Sequence, residues 1–204
     1  MKVGLFFGTF NPIHIGHLII ANHLATHTDL DQVWLIVTPL NPLKAKQSLL
    51  ADHHRLMLTQ IAVEENDLLR VSDIEFKLPK PNYTIDTLAY LKEKYPTHTF
   101  CLILGEDNLR TFHKWKNHEQ ISENYPLYVY PRVLTSQELA SNEPIVTTEK
   151  LMVQFPKAHF CLDAPLMKIS STYIRESIQK QKDVRYLLTP EVYKYVDEMN
   201  FYRK

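Results

Sequence analysis

The chain has 204 residues, of which 45% are apolar and 23% are charged, and its 23 Lys and Arg residues are balanced by 23 Asp and Glu residues. A chain of this length and composition is typical of a globular protein that can bury a core, in one domain or in two. Because the formal net charge is zero and no block of like charges occurs, the charge pattern excludes a general nucleic-acid binder and a polybasic membrane binder.

Apolar runs of strand length alternate with segments of helical period along the chain. The predicted strands are 3–7, 33–37, a weaker 71–76, 100–104, 127–130 and 159–162, and the predicted helices are 16–28, 51–65, 84–95, 171–180 and about 190–199. This alternation predicts an α/β fold, a Rossmann-like doubly wound parallel sheet flanked by helices. We expect a single domain over residues 1–204 with a small helical part from about residue 170.

Two of the predicted helices have clear start signals. Thr84 is the predicted N-cap of the helix at 84–95, and Thr189 precedes a first-turn proline and acid in the last helix. The predicted buried face of the helix at 84–95 consists of Ile85, Leu88, Ala89 and the stem of Lys92. The segment 133–157 has no clear period and is either a helix on the flank of the sheet or an irregular insertion.

The cellular location is predicted from the start of the chain and from its cysteines. Residues 3–28 contain no Lys, Arg, Asp or Glu, but Asn and His residues interrupt the apolar run that a signal peptide or a membrane span needs. Cys101 and Cys161 lie in short apolar runs without metal-ligand spacing, which is typical of reduced core residues. We therefore expect a cytoplasmic protein.

Glycine positions indicate where a ligand binds. Gly8 and Gly105 both fall where a predicted strand leaves the sheet, which is the edge at which open parallel sheets bind ligands. The chain contains neither GxGxxG nor GxxxxGK[ST], so a dinucleotide dehydrogenase and a P-loop kinase are disfavoured.

The segment after the first strand predicts a phosphate site. It reads GTFNPIHIGH over residues 8–17, so His14 and His17 are three apart at the start of a helix, after a glycine and a threonine. Imidazole N–H groups and the free backbone N–H groups of a helix N-terminus then lie together, which favours an anion. Two alternatives stay open: the histidines only cap or pack the helix, or they bind zinc, for which no third ligand is nearby.

Two motifs resemble those of the nucleotidyltransferase superfamily. GTFNPIHIGH is similar to its (H/T)xGH motif, and ISSTYIR over residues 169–175 resembles its ISSTxIR motif. Other segments are similar to those of bacterial nicotinate mononucleotide adenylyltransferases, so that the resemblance covers nearly the whole chain. They are NYTIDTL from Asn82, Gly105-Glu106-Asp107, Phe112 to Trp115 and the closing LLTPEVYKYVDEMNFYR.

The resemblance implies transfer of AMP from ATP to nicotinate mononucleotide, giving deamido-NAD and pyrophosphate in NAD biosynthesis, with Mg²⁺ bound to ATP. It implies His14, His17 and Arg175 as catalytic residues and no metal ligand from the protein. The implied ATP-binding residues are Gly8, Thr9, Phe10, Gly16, His17, Lys44, Gly105, Asp107, Ile169, Ser170, Ser171, Thr172 and Arg175. The implied mononucleotide-binding residues are Asn11, Tyr83, Thr84 and Trp115.

The chain departs from the family after the second strand. The family has a PPHK-like segment there, whereas this chain reads TPLNPLK over residues 38–44, so the histidine is absent and Lys44 stands as its uncertain substitute. Trp115 can also be a half-buried surface anchor, and Asp107 a plain turn acid.

Other functions remain open from the sequence alone. An adenylyltransferase for nicotinamide mononucleotide or for phosphopantetheine, and a nucleotide sensor without catalysis, are the alternatives to nicotinate mononucleotide. The expected partners are ATP and the mononucleotide, without nucleic acid or membrane. A homo-oligomer is left open.

Overall fold

A parallel sheet of six strands organises the protein, whose computed structural model describes residues 1–39, 49–133 and 145–203. The strands are β1 (Lys2–Gly8), β2 (Gln32–Val37), β3 (Leu69–Ser72), β4 (Thr99–Gly105), β5 (Leu127–Tyr130) and β6 (His159–Phe160). Their order is β3-β2-β1-β4-β5-β6, and every neighbouring pair is parallel. The predicted Rossmann-like doubly wound sheet is therefore confirmed.

The strand order reverses at the centre of the sheet, between β1 and β4. Phe6 of β1 pairs with Leu35 of β2 on one side and with Ile103 of β4 on the other. The connections from β1 run outward to β2 and β3 on one side, and β4 starts the other half. A crevice opens at such a point beyond the carboxyl ends of the strands, and open α/β sheets bind their ligands there.

Helices cover both faces of the sheet. They are α1 (Ile15–His27), α2 (Asp52–Val63), α3 (Thr84–Lys94), α4 (Glu106–Arg110), α5 (His118–Asn124), α6 (Thr148–Gln154), α7 (Ser171–Gln179) and α8 (Pro190–Glu198). Short 3₁₀ helices occupy Ile74–Lys77, Phe112–Lys114 and Arg185–Leu187. In the described part of the chain, no helix is long and apolar enough to cross a membrane.

Strands β1, β2, β4 and β5 alternate their buried side chains between two cores. In β2, Leu35 packs into a cluster with residues of α1, α2, α7 and α8, whereas Trp34 and Ile36 pack into a second cluster with residues of α3, α4 and α5. Because both faces are buried, the strands read as continuous apolar runs in the sequence. This explains why their positions were predictable.

The weakest predicted strand is only partly correct. The segment 71–76 was expected to be extended, but β3 ends at Ser72, and Ile74–Lys77 form a 3₁₀ helix. The Ser72 hydroxyl accepts from the Ile74 backbone N–H at 3.3 Å, which turns the chain out of the sheet. In the described part of the chain, β3 is an edge strand: it pairs with β2 on one side and has no neighbouring strand on the other that could lengthen it.

The predicted start of α3 at residue 84 is confirmed, and Leu88 and Ile85 pack on the core as predicted, but the predicted N-cap and the rest of the predicted buried face are wrong. Tyr83 is the N-cap and Thr84 is the first helical residue. The buried residues are Thr87, Leu88 and Leu91, whereas Ala89 and Lys92 are exposed. The helix can bury Thr87 because its hydroxyl donates to the Glu75 carboxylate at 2.8 Å, a contact that the periodic pattern does not contain.

The remaining predicted helices are confirmed, and two short ones were missed. Thr189 caps α8 as predicted, since its side chain accepts from the Val192 backbone N–H. The short helices α4 and α5 were not predicted. In the segment 133–157, α6 is the helix among the described residues, and residues 134–144 lie outside them. The organisation in one domain stays a prediction.

Arg55 joins the loops that leave β1 and β2. Its side chain is fully buried, and its Nη1 donates to the carbonyls of Thr9 and Thr38, the latter at 2.9 Å. Nε donates to the Leu50 carbonyl at 3.1 Å, and Nη2 contacts the Asp52 carboxylate at 2.6 Å. Burial raises the pKa of Asp52, but hydrogen bonds from Arg55 and Lys80 outweigh it and lower this pKa below its usual value.

We expect Arg55→Met to lower the free energy of unfolding by about 3–5 kcal/mol, because it leaves carbonyls of three loop residues without their donor and removes the partner of the half-buried Asp52 carboxylate. Urea unfolding followed by circular dichroism measures this. Arg70→Met is the matched control: Arg70 is exposed and stacks on Trp34 at 4.7 Å, so its loss should cost about 1 kcal/mol or less. Equal midpoints for the two variants would contradict the assigned role of Arg55.

Candidate functional site

A cleft of about 790 Å³ lies at the carboxyl ends of β1 and β4, at the reversal of strand order. It brings together most residues that the sequence singled out, from both motifs and from the start of α3. The predicted residues that line it are Gly8, Thr9, Phe10, His14, Gly16, His17, Tyr83, Thr84, Gly105, Trp115, Ile169, Ser170, Ser171, Thr172 and Arg175.

Two glycines are required by close packing in the first loop. A Cβ added at Gly8 would lie 2.8 Å from the ring of Phe10, which folds back over the strand end with a φ of 43°. A Cβ at Gly16 would lie 3.1 Å from Nδ1 of His14. These glycines allow the loop to pack directly beside the histidine rings.

His14 and His17 cap α1 reciprocally. Nδ1 of His14 accepts from the His17 backbone N–H, and Nδ1 of His17 accepts from the His14 backbone N–H, each at 3.3 Å. The two rings stack with centroids 3.7 Å apart. The capping alternative is thus correct for Nδ1 of both rings.

The capping hydrogen bonds select the tautomer of both imidazoles. A neutral histidine whose Nδ1 accepts a hydrogen bond carries its proton on Nε2. Burial lowers the pKa of His14 to about 4, with a further lowering by the positive charge of Arg132. His14 is therefore neutral at pH 7 and offers an Nε2–H donor without a charge.

The ring of His17 is held by aromatic side chains. It meets Phe10 edge-to-face at 5.1 Å between centroids and Phe6 at 6.1 Å. His17 is partly exposed and His14 is buried, so the two donors lie at different depths of one wall of the cleft.

The N-terminus of α7 faces the histidine loop. Ser170 caps it, since its hydroxyl accepts from the Tyr173 N–H at 3.2 Å. The Ser171 hydroxyl donates to the Pro12 carbonyl at 2.8 Å, and Nη1 of Arg175 donates to the Asn11 carbonyl at 2.9 Å. The second motif is thus fastened to the first, and it adds a helix N-terminus and a guanidinium to the same cleft.

Asn11 does not line the cleft, although the sequence suggested that it binds the mononucleotide. It is 1% exposed, and its side-chain oxygen accepts from the Tyr202 hydroxyl at 2.9 Å and from the Leu50 N–H at 3.2 Å. Its amide thus joins the first loop to the C-terminal end of the chain. The physical reason is that a buried amide needs several partners, and these partners lie away from the cleft.

Asp107 does not line the cleft either. Its Oδ2 pairs with Arg132 at 2.6 Å, and its Oδ1 lies so close that a Cβ at Gly105 would meet it at 2.5 Å. Asp107 therefore holds Arg132, which lines the cleft and was not predicted. Lys44, by contrast, lies outside the described residues.

The far end of the cleft is formed by the start of α3 and the segment at Trp115. Lys116 lies over the Tyr83 ring at 4.6 Å and pairs with Asp86 at 2.9 Å, which joins the two segments. Trp115 packs on Phe112 at 5.4 Å between ring centroids and also lines the cleft. It is thus both a packed residue and a wall of the cavity.

Sequence reasoning missed several charged or polar residues of the cleft. Arg132, Lys114, Lys116, Glu75 and Asn82 line it. Asn82 lies in the NYTIDTL segment and could have been found from it, whereas nothing in the spacing of Glu75 or Arg132 marks them.

The chemistry of the cleft suits phosphate groups better than a metal held by the protein. Its wall presents N–H donors, hydroxyls and guanidinium groups, which pair with anionic oxygens. Within the described ranges, no three His, Cys, Asp or Glu side chains come together as metal ligands, so the zinc alternative finds no third ligand there.

Comparisons with known proteins identify the family of this chain. The cytidylyltransferase-like family model matches residues 5–177. A probable nicotinate-nucleotide adenylyltransferase of Flavobacterium psychrophilum is 54% identical over 204 residues, 100% of both chains. One of Bacteroides fragilis is 45% identical over 195 residues, 96% of this chain and 90% of that protein.

Solved structures share the fold. The nicotinic acid mononucleotide adenylyltransferase of Plasmodium falciparum, complexed with NaAD, superposes with a TM-score of 0.76 at 19% identity, over 98% of this chain and 97% of that one. A putative nicotinate-nucleotide adenylyltransferase of Vibrio parahaemolyticus gives a TM-score of 0.69 at 23% identity, over 100% and 96%.

Proposed function

Because the chain belongs to the cytidylyltransferase-like family and, within it, to the nicotinate-nucleotide adenylyltransferases, we propose that it transfers AMP from ATP to nicotinate mononucleotide. The products are deamido-NAD and pyrophosphate, as NAD biosynthesis requires. One observation carries the assignment of the site: the two histidines that cap α1 and the N-terminus of α7 with Arg175 line one cleft.

The reaction needs no protein nucleophile. The 5′-phosphate of the mononucleotide is already ionised and attacks the α-phosphorus of ATP, while the bond to pyrophosphate breaks on the opposite side. Catalysis then depends on alignment of the two phosphates and on donors for the charge that builds on the oxygens.

His17 and His14 are the donors for that charge. His17, at the more open position, donates its Nε2–H to the α-phosphate in the transition state, and His14 donates to a neighbouring phosphate. The hydrogen bonds at Nδ1 support these roles, because a neutral imidazole whose Nδ1 accepts carries its proton on Nε2. A neutral donor also avoids the cost of burying a permanent charge.

The β- and γ-phosphates bind at the start of α7. Its backbone N–H groups, the Thr172 hydroxyl and the guanidinium of Arg175 supply the donors and the positive charge, while the Ser171 hydroxyl holds the helix start on the Pro12 carbonyl. Mg²⁺, held by the ATP phosphates and by water, supplies further charge neutralisation on the leaving group. The direct fastening of Ser171 and Arg175 to the first loop supports a shared phosphate site.

The two nucleosides occupy opposite sides of this phosphate site. Gly8, Thr9, Phe10, Gly16, Gly105 and Ile169 line the ATP side, where Asp107 orients Arg132. The pyridine ring lies against Trp115, and its carboxylate faces the N-terminus of α3 at Tyr83 and Thr84. A cytoplasmic location and the absence of nucleic-acid partners stay predictions.

The direct test of the function is pyrophosphate release from ATP and Mg²⁺ with three acceptors supplied separately. We expect release with nicotinate mononucleotide at a higher kcat/KM than with nicotinamide mononucleotide, and none with 4′-phosphopantetheine. Pyrophosphate release with phosphopantetheine alone would show that phosphopantetheine is the acceptor. No release with any of the three would favour a nucleotide sensor without catalysis.

His17→Ala is expected to lower kcat by about 10²–10³-fold, the usual cost of one preorganised transition-state donor, with little change in ATP affinity. Steady-state kinetics with varied ATP measures the split between kcat and KM. His113→Ala is the control, since His113 is exposed and does not line the cleft. A loss in KM alone would assign His17 to ground-state binding instead.

Trp115→Ala is expected to raise the KM for the mononucleotide by about tenfold, because one aromatic stacking face is worth about 1 kcal/mol or more. The KM for ATP should stay nearly unchanged. Trp115→Phe retains a ring and should recover most of the affinity. A lowered melting temperature with unaltered kinetics in Trp115→Ala would identify this residue as a surface anchor.

A further inference from the structure

Three buried polar atoms without a hydrogen-bond partner belong to residues at one end of the cleft. They are Oε2 of Glu75, Oδ1 of Asn82 and Nε1 of Trp115, and all three residues line the cleft. An unpartnered buried polar atom costs free energy, so such atoms are rare and need a reason. Their grouping beside Tyr83 and Thr84 points to the subsite for the pyridine ring.

Glu75 lies beneath the first turn of α3. It is 1% exposed, and its Oε1 accepts from the Thr87 hydroxyl at 2.8 Å. Its backbone carbonyl accepts from Nδ2 of Asn82 at 2.9 Å. Glu75 therefore contacts both sides of the turn that starts the helix, directly next to Tyr83 and Thr84.

No cation neutralises Glu75 in the described part of the chain, where no ion pair includes this residue. On its own 3₁₀ helix, Lys77 pairs with Asp73 at 3.2 Å. The guanidinium of Arg55 donates to the Thr38 carbonyl instead. Lys114 and Lys116 line the cleft, and Lys116 pairs with Asp86 of α3 at 2.9 Å.

A second buried glutamate shows the contrast. Glu106 is 4% exposed, and its Oε1 also accepts from a threonine hydroxyl, that of Thr148, at 2.8 Å. Its Oε2 pairs with Arg110 at 3.2 Å, whereas Oε2 of Glu75 has no partner. The two sites thus differ mainly in the guanidinium, which stabilises a buried carboxylate at Glu106 and is missing at Glu75.

We propose that Glu75 is a specificity-determining residue of the mononucleotide subsite: it is held there as a neutral carboxylic acid, so that the subsite accepts a pyridine ring with an anionic carboxylate. An ionised Glu75 would instead repel that carboxylate. The inference rests on the proposed function and deepens it, because it names the group that makes selection between the acid and the amide depend on pH.

The environment of Glu75 supports the neutral form. Burial raises the pKa of Glu75 above its usual value, and hydrogen bonding, chiefly from the Thr87 hydroxyl, offsets only part of this effect. As the pH rises through this pKa, Glu75 ionises and the anionic substrate loses affinity, whereas the amide substrate carries no ring charge to be repelled. Preference for the acid therefore decreases as the pH rises.

The experiment measures the ratio of kcat/KM for nicotinate mononucleotide to that for nicotinamide mononucleotide between about pH 5 and pH 9, where the ring carboxylate stays ionised. Ionisation of the phosphates, of ATP and of the histidines affects both substrates and cancels in the ratio. In the wild type we expect the ratio to fall by about tenfold with rising pH, equivalent to a coupling of about one pKa unit.

Glu75→Gln keeps the size and removes the charge at every pH, so its ratio should stay high and independent of pH. Glu106→Gln is the matched control and should retain the pH profile of the wild type. A Glu75→Gln profile equal to that of the wild type would overturn the proposal. So would an equal loss of activity on both substrates, which is the result expected of a purely structural residue.

A second measurement needs no variant. Isothermal titration calorimetry of each mononucleotide, in two buffers of different ionisation enthalpy, counts the protons taken up on binding. On the alkaline side of the transition, the acid should take up more protons than the amide, and equal uptake would overturn the proposal. A wild type that binds but releases no pyrophosphate with either acceptor would instead refute the proposed function, leaving this test of Glu75 intact.

Discussion

The buried guanidinium of Arg55 is the contact on which the active edge of the sheet depends. The loops after β1 and β2 leave neighbouring parallel strands, and their carbonyls converge at Thr9, Thr38 and Leu50 with no strand ladder to satisfy them. A fork of N–H donors is the side chain that can bind several of them at once. Arg55 connects these loops to α2. It thereby fixes the start of the segment 8–17, which forms one wall of the cleft.

Hydrogen bonds within the fold also fix the histidine pair. Each of the two imidazoles has two nitrogens, and the fold uses Nδ1 of both to close the first turn of α1. The structural role of His14 and His17 is compatible with the proposed chemical one, because the cap orients both rings and favours the tautomer of a neutral ring with its proton on Nε2. Packing of His17 against Phe10 restricts its ring further. Capping and catalysis are thus two uses of one arrangement rather than alternatives.

The chain closes the site by bringing its two ends together. Tyr202, near the C-terminus, donates to Asn11 across a separation of 191 residues, and Arg175 donates to the carbonyl of the same asparagine. The loop that carries the histidines therefore accepts hydrogen bonds from Arg55 of α2, from Arg175 of α7 and from Tyr202, which follows α8. At the opposite end of the cleft, Oε2 of Glu75 and Oδ1 of Asn82 are buried without a hydrogen-bond partner. The loop with the histidines is thus held by hydrogen bonds within the fold, whereas the proposed ring end has buried polar atoms that a substrate can contact.

The sequence by itself determined the α/β class, the approximate strands and helices, and the two segments that meet in the cleft. These follow from short-range patterns: apolar runs for strands buried on both faces, helical period, and glycine and histidine at a strand-to-helix turn, where His14 and His17 lie. Only the tertiary structure decided that Asn11 is buried outside the cleft lining, that Arg132 joins it, and that Glu75 is buried without an ion pair among the described residues. The physical reason is that burial and hydrogen-bond partners depend on residues far away in the chain, which local periodicity does not contain.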